Sequence, residues 1–520
     1  MRVRSVPVLL LAGTVAVAIG TTSLTSCTSD ASDGAKPTSS TVVRGSSITS
    51  GSKAGAPTKT TPTPGPAAKL EELTGGQGVR LLAAQPGPDL KASGYTEHEY
   101  KASGTATSYV PDKPLATDGA YYLKPDATAP YATRIIVRRP AEQADFNGTV
   151  VVEWLNVSSG ADAAPDYTYL ADELIRSGYA WVGVSAQRIG VEGGEVAVST
   201  PLDAESGAGK GLKALDPARY SSLSHPGDAF SCDMFTQASR AIRDTSSASP
   251  MKGLKVTDVL AAGESQSAFA LTTYANGVQP LTHQFDGFLI HSRAGAAAPL
   301  GEAGSGVDVA STIGGAPTTI RTDLEQPVMM VQTETDVLGI LNYYPARQPD
   351  TDKIRLWEVA GTAHADTQQV GPASGQLGCL APINNGQQIY VLRSALGHLD
   401  AWVKTGAAPP KAARLDTPSG PDGSPMFHLD ANGNVTGGIR TPAVDAPMEV
   451  LSGLPVEGSS IVCILMGSTA PLPKARVTAL YPAKGDYEAA YKAATDDAIT
   501  AGFILPADRA QVLKETSARG

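Results

Sequence analysis

Val256-Thr257-Asp258-Val259-Leu260-Ala261-Ala262-Gly263-Glu264-Ser265-Gln266-Ser267-Ala268-Phe269-Ala270-Leu271 is the stretch on which the fold turns. A short apolar run rich in β-branched residues leads into Gly-x-Ser-x-Ser, and helix formers follow at once. This is the layout of a nucleophile elbow, where a strand turns sharply into a helix and the serine backbone is held under strain. Small residues are required two places before and two after the serine, and Gly263 and Ser267 fill them. The second place usually holds glycine, so Ser267 is a departure, though serine is small enough for the turn. The layout points to Ser265 as a nucleophile and to serine-hydrolase chemistry.

Working outward, Gly148-Thr149-Val150-Val151-Val152-Glu153-Trp154-Leu155-Asn156 is a nearly continuous apolar run, the mark of a strand buried on both faces. Residues 166–177 place Tyr169, Leu170, Leu174 and Ile175 at helical spacing, with Gly178 as a stop. A strand is expected at 180–185, a helix at 229–243, and further strands at 285–290, 327–331 and 353–359. Strands alternating with helices predict an α/β architecture with a mostly parallel central sheet flanked by helices. A Gly/Ala-rich insertion at 294–320 follows a strand end and is a candidate lid, with a passive surface loop as the alternative.

In such a sheet the reactive groups gather in loops at the carboxyl ends of strands, in the chain order serine, acid, histidine. After the 327–331 strand comes Gln332-Thr333-Glu334-Thr335-Asp336, and after the 353–359 strand comes Ala360-Gly361-Thr362-Ala363-His364. Asp336 is the preferred acid because it lies further past the strand end, with Glu334 as the alternative. His364 is the base. His398 lies in an amphipathic helix pattern and His291 comes before the acid, while His98, His225, His283 and His428 have no strand-end context. Oxyanion donors are expected from the Gln266 amide at the start of the elbow helix and from the loop after the 148–156 strand, at Asn156 or Val157. Arg293 is read as a structural arginine, with contact to an acidic substrate group as the alternative.

The chain has 520 residues and a formal net charge of −10. Basic residues form no cluster in the folded part, so nucleic acid is not an expected partner. Met1-Arg2-Val3-Arg4, an apolar segment at 6–20 and Leu24-Thr25-Ser26-Cys27 read as an export signal ending in a lipobox-like cysteine. Residues 1–27 are therefore assigned as a lipoprotein-type signal and Cys27 as the lipidation site, anchoring the protein to the outer face of the membrane; secretion without the lipid is the alternative. Residues 28–69, rich in Ser, Thr, Pro and Gly, are expected to be a disordered tether. The folded domain is then 70–520. Outside the cytoplasm a cysteine pair should be oxidised, and Cys379 with Cys463 is favoured because Cys232 falls in the apolar register of a helix.

No His-Glu-x-x-His or Cys-x-x-Cys is present, so no metal site is expected. Gly207-Ala208-Gly209-Lys210-Gly211 is similar to a phosphate loop, but Ala204 and Gly211 occupy places that require Gly and Ser or Thr. No dinucleotide fingerprint opens a helix, and no cofactor is expected.

Four segments together resemble a large bacterial family known only as "alpha/beta hydrolase domain": Gly263-Glu264-Ser265-Gln266-Ser267, Glu334-Thr335-Asp336, Leu399-Asp400-Ala401-Trp402-Val403 with Pro409-Pro410 beyond it, and Gly437-Gly438-Ile439-Arg440-Thr441-Pro442. They span most of the chain after residue 140, and the carboxy-terminal part, 406–520, is specific to that family. The resemblance implies an α/β-hydrolase fold and no defined substrate. The expected function is an exported, lipid-anchored serine hydrolase acting on carboxylic esters through a Ser265–His364–Asp336 triad and an acyl-enzyme, with a small-molecule ester as substrate. A catalytically inactive, hydrolase-like binding lipoprotein is the alternative.

Overall fold

The computed structural model describes residues 59–81, 87–244 and 249–519, with the backbone alone at 309 and 310. The export segment, Cys27 and residues 28–58 of the tether lie outside the described residues. Nine strands make one sheet: β1 (Lys69–Glu72), β2 (Tyr95–Pro111), β3 (Leu123–Pro140), β4 (Thr149–Trp154), β5 (Ala180–Val184), β6 (Asp258–Glu264), β7 (Gly287–His291), β8 (Val328–Thr333) and β9 (Ile354–Val359). Their spatial order is β1-β2-β3-β5-β4-β6-β7-β8-β9. The first three strands join antiparallel, β3 meets β5 antiparallel, and every neighbour from β5 to β9 is parallel.

The unbroken apolar runs follow from burial on both faces. Along β4, Val150 and Val152 enter one core and Val151 the other; along β6, Val259 and Ala261 enter the first, Leu260 and Ala262 the second. Helices α2 (Ser231–Arg243) and α3 (Gln266–Thr273) cover the first face. The second is covered by α1 (Pro165–Arg176) and α5 (Gln388–Thr405). Each parallel strand therefore needs apolar side chains at successive positions rather than at alternate ones.

Three expectations are corrected. The sheet begins well before residue 146: β2 and β3 were not legible because the inward positions of β2 are small, Ala102 and Ala106, among Thr, Ser, Glu and Lys, so no apolar alternation shows. The packed chain also begins before residue 70. The Thr63 amide donates to Thr282 O at 2.8 Å, the Ala68 amide to Gln237 O at 3.0 Å, and the Arg240 guanidinium to the carbonyls of Thr63 and Pro66. These residues have little apolar surface and are held by backbone hydrogen bonds, which composition does not reveal. Finally, 294–320 is not a lid over Ser265: it packs against 226–230 and α3, with Ala298 N donating to Phe269 O and Val307 N to Asp228 Oδ2.

The carboxy-terminal part is built onto the β9 edge. Ile439 forms a parallel bridge with Val359, and β10 (Glu449–Ser452) pairs antiparallel with β11 (Ser468–Pro471), with the short helix α6 (Ile461–Met466) between them. A disulfide joins Cys379 to Cys463, and Cys232 is free. No helix among the described residues is long and apolar enough to cross a membrane.

One buried cation ties the antiparallel edge to the loop after β4. Arg134 on β3 is fully buried and donates to Glu99 at 3.0 Å, to Asp162 at 2.5 Å and to Arg80 O at 2.7 Å. Glu99 keeps other partners in Arg219 and Tyr220, whereas Asp162 has no other cation. Removing one partner of a buried pair strands the other charge away from water. Arg134→Met should lower the unfolding free energy by about 3–5 kcal/mol, read from the urea midpoint; a loss below about 1 kcal/mol would show that the pair is not needed for stability.

Candidate active site

Strand β6 ends at Glu264 and α3 begins at Gln266, which leaves Ser265 alone at the turn with φ 57° and ψ −123°. A β-carbon on Gly263 would stand 2.9 Å from Leu271 Cδ1 and 3.1 Å from Ser267 Cβ, so a side chain there would crowd the turn and Leu271 would have to give way. Ser267 itself is fully buried and fits the turn. The Ser265 amide donates to His291 O at 3.0 Å, fastening the elbow to the end of β7.

Three of the expected residues meet. Ser265 Oγ lies 2.8 Å from His364 Nε2, and His364 Nδ1 lies 2.8 Å from Asp336 Oδ1. His364 comes from the loop after β9, and Asp336 from the first turn of the helix α4 (Glu334–Leu338) that follows β8. A capping box fixes that turn: the Thr333 side chain accepts from Asp336 N, and Asp336 Oδ2 accepts from Thr333 N at 2.6 Å. One oxygen of Asp336 is thus anchored by the backbone while the other faces the imidazole. The pattern Thr-x-x-Asp was present in the sequence as a capping signal.

Glu334 goes elsewhere. Its carboxylate accepts from Gly361 N at 2.6 Å and Gly453 N at 2.8 Å, tying the β9 loop to the carboxy-terminal part. Burial pushes it up to about 7 against those two donors. His291 is buried against Asp166 at 3.0 Å, and His398 is held by Gly502 O. Arg293 is fully buried, and its guanidinium donates to Thr272 Oγ1 and to the carbonyls of Gly295 and Thr318.

The oxyanion expectation needs one correction. The Asn156 amide already donates to Ala163 O at 2.9 Å, in a bridge that shapes the loop after β4, so it has no proton to offer. The Val157 amide faces Gln266 Oε1 at a long 3.5 Å, a contact weak enough to be displaced. Gln266 N belongs to the first turn of α3, where amides have no intrahelical acceptor. Gln266 and Val157 remain the pair of donors beside Ser265.

One residue at the site was not singled out from the sequence. Glu264 Oε1 lies 3.2 Å from His364 Nε2, and Asn156 Nδ2 donates to Glu264 O at 3.1 Å and to its Oε2 at 3.3 Å. An acid at the end of an otherwise apolar buried strand, directly before the serine, was the signal. Burial pushes Glu264 up to about 7, against the opposing pull of His364 and His291. For His364, burial pushes the imidazole down, but the charge of Glu264 and the hydrogen bond and charge of Asp336 more than offset it, and it is held above its ordinary value. Glu264 either carries a proton itself or stabilises the imidazolium; an ionised Glu264 facing a bare Nε2 lone pair would be repulsive.

A cavity of about 310 Å³ opens at Ser265. Its walls come from the loop after β4, from 198–206, from the segment after His364 and from α6. Cys379 and Cys463 link the last two, and Leu377, Val462 and Met466 pack together around that bond. Among the described residues no group of three or more His, Cys, Asp or Glu is placed to hold a metal.

A family model described as "Alpha/beta hydrolase domain" matches residues 61–514. No curated protein matches the sequence. Among solved structures, the chain is similar to one of two fungal esterases from Rhizomucor miehei, at 12% identity and TM-score 0.29, covering 61% of this chain and 91% of that one. It is also similar to a glucuronoyl esterase from Solibacter usitatus, at 13% identity and TM-score 0.26, covering 59% and 84%. A lidless serine hydrolase from Xanthomonas campestris matches at 12% identity and TM-score 0.26, covering 50% and 85%.

The charge of Glu264, with the hydrogen bond and charge of Asp336, holds the His364 imidazole up. In Glu264→Gln the His364 pKa should fall, followed by its ring resonances in histidine-labelled protein. A His364 titration identical in both proteins would show that the 3.2 Å contact carries no electrostatic weight.

Proposed function

The chain belongs to the alpha/beta hydrolase domain family, and from that premise we propose that it is a serine hydrolase cleaving carboxylic esters, exported and held at the outer face of the membrane through a lipid on Cys27. The observation that carries the reading is the continuous chain from Ser265 Oγ through His364 to Asp336, both links at 2.8 Å, at the carboxyl ends of three parallel strands.

His364 Nε2 takes the Ser265 proton as Oγ bonds to the carbonyl carbon, and the carbonyl π-pair moves onto oxygen. Asp336 holds Nδ1 protonated, so Nε2 is the atom free to accept. The resulting imidazolium lies between two carboxylates, Asp336 and Glu264, which lowers the energy of the charged state that the transition state resembles. The oxyanion is received by the amides of Gln266 and Val157, the second becoming available as Gln266 Oε1 withdraws. When the carbon–alkoxide bond breaks, the alcohol leaves with the proton from Nε2. Water, deprotonated by His364, then releases the acid from Ser265 by the same steps in reverse.

The mature protein should label with a fluorophosphonate on the Ser265 peptide, identified by mass spectrometry. Ser265→Ala should lose labelling and at least about a thousandfold in kcat for an aryl ester. Asp336→Asn should cost several orders of magnitude in kcat, whereas Glu334→Gln should lower stability with a far smaller effect on turnover. Absence of labelling on folded protein would overturn the hydrolase reading, and equal losses in the two acid variants would overturn the assignment of Asp336.

A further inference from the structure

The cavity at Ser265 carries a charge pattern that bears on which esters it admits. Seven of its wall residues are large and apolar, among them Leu202, Leu377, Val462 and Met466. The titratable side chains of its lining are Glu264 and His364, both at the reacting group, and Asp203 further out; among the described residues no lysine or arginine lines it. Arg293, which lies past the end of β7, is fully buried, does not line the cavity, and uses its terminal nitrogens on Thr272, Gly295 and Thr318. The two most apolar walls are also fixed to each other by the Cys379–Cys463 disulfide, so the apolar surface is built in rather than assembled by a loose flap.

We infer that this site is specific for esters whose larger substituent is uncharged and apolar, and that it rejects esters bearing a carboxylate on that substituent. The inference rests on the ester-hydrolase reading. A carboxylate entering the cavity would give up its hydration with no lysine or arginine to replace it, between walls of low polarity that offer it little other stabilisation. An alkyl chain there loses water contact at every methylene, which favours binding. A cavity of about 310 Å³ is at the lower end of the size range of ligand sites, so the chain it takes is short to medium.

The test compares neutral esters with analogues that differ only in a terminal carboxylate, followed by pH-stat at neutral pH and moderate salt. In the acyl arm methyl hexanoate is set against monomethyl adipate; in the alcohol arm hexyl acetate is set against its ω-carboxylate analogue. The arm in which the charge matters tells which half of the ester occupies the cavity. The expected result is a kcat/KM more than tenfold higher for the neutral member in at least one arm. Val462→Lys, which puts a cation in the wall, should narrow that ratio at least tenfold; should this variant not fold, the wild-type ratio decides alone. A ratio of tenfold or less in both arms, with Ser265 labelled by fluorophosphonate, overturns this inference and leaves the hydrolase reading standing. An unlabelled Ser265 overturns both.

Discussion

The backbone of Ser265, at φ 57° and ψ −123°, lies where a residue with a side chain stays only if its surroundings over-determine it. Here those surroundings are β6 and α3, both fully buried, together with the Ser265 amide bonded to His291 O on the neighbouring strand. Relaxing the turn would pull β6 out of register with β7 or lift α3 off the sheet, and either would expose a row of apolar side chains. The strain is therefore balanced by the core, and its product is a hydroxyl raised above the carboxyl edge of the sheet. Parallel order does the rest. Because β6, β8 and β9 all end on that edge, loops that begin there can bring Asp336 and His364 to one oxygen from positions 71 and 99 residues further along the chain.

Beneath the serine is a layer of acids that a core of this kind ordinarily avoids. Glu264, Asp166, Glu153 and Asp336 are all buried within a short reach of His291 and His364. Glu153 accepts from the amides of Asp166 and Tyr167 at the start of α1 and from the Trp181 indole. Burial, and then the nearby charge of Asp166, push Glu153 well above the usual carboxylate range. Its carboxyl is surrounded by hydrogen-bond donors rather than by a basic side chain. Burial likewise pushes Glu264 and Glu334 up to about 7. In this setting the two histidines are the principal positive partners available, and both are held above their ordinary values despite burial.

Which features could be read from sequence follows from where the information lies. The parallel strands were legible because burial on both faces writes an unbroken apolar run, and the nucleophile because a strained turn needs Gly263. That Asp336 and His364 come to lie at Ser265 could be expected from strand ends and chain order alone. What was hidden is held by partners distant in sequence. The long β2 carries its pairing with β3 in the backbone, and its inward Ala102 and Ala106 leave little hydrophobic signature. Asn156 is removed from the oxyanion pair by a bridge to Ala163 that no local rule predicts. The choice between Glu334 and Asp336 was open because both lie in one helical turn; only the position of Gly453, more than a hundred residues on, shows what Glu334 holds.

The cavity wall links the chemistry of the site to the compartment proposed for the protein. The segment after His364 and α6 share little regular structure, and they are fastened by Cys379 and Cys463 across 84 residues of chain. A bond closing so long a loop removes much of the freedom of the unfolded chain, and it persists where the surroundings are oxidising. In a reducing compartment the two walls would be joined by a few backbone hydrogen bonds, such as Ala365 N to Leu465 O and Asn384 N to Met466 O, and by the small apolar cluster of Leu377, Ile383, Val462 and Met466. A substrate site walled in this way keeps its shape best where that bond persists, which accords with the export proposed for the protein, because one covalent bond then fixes the apolar face against which a substrate would pack.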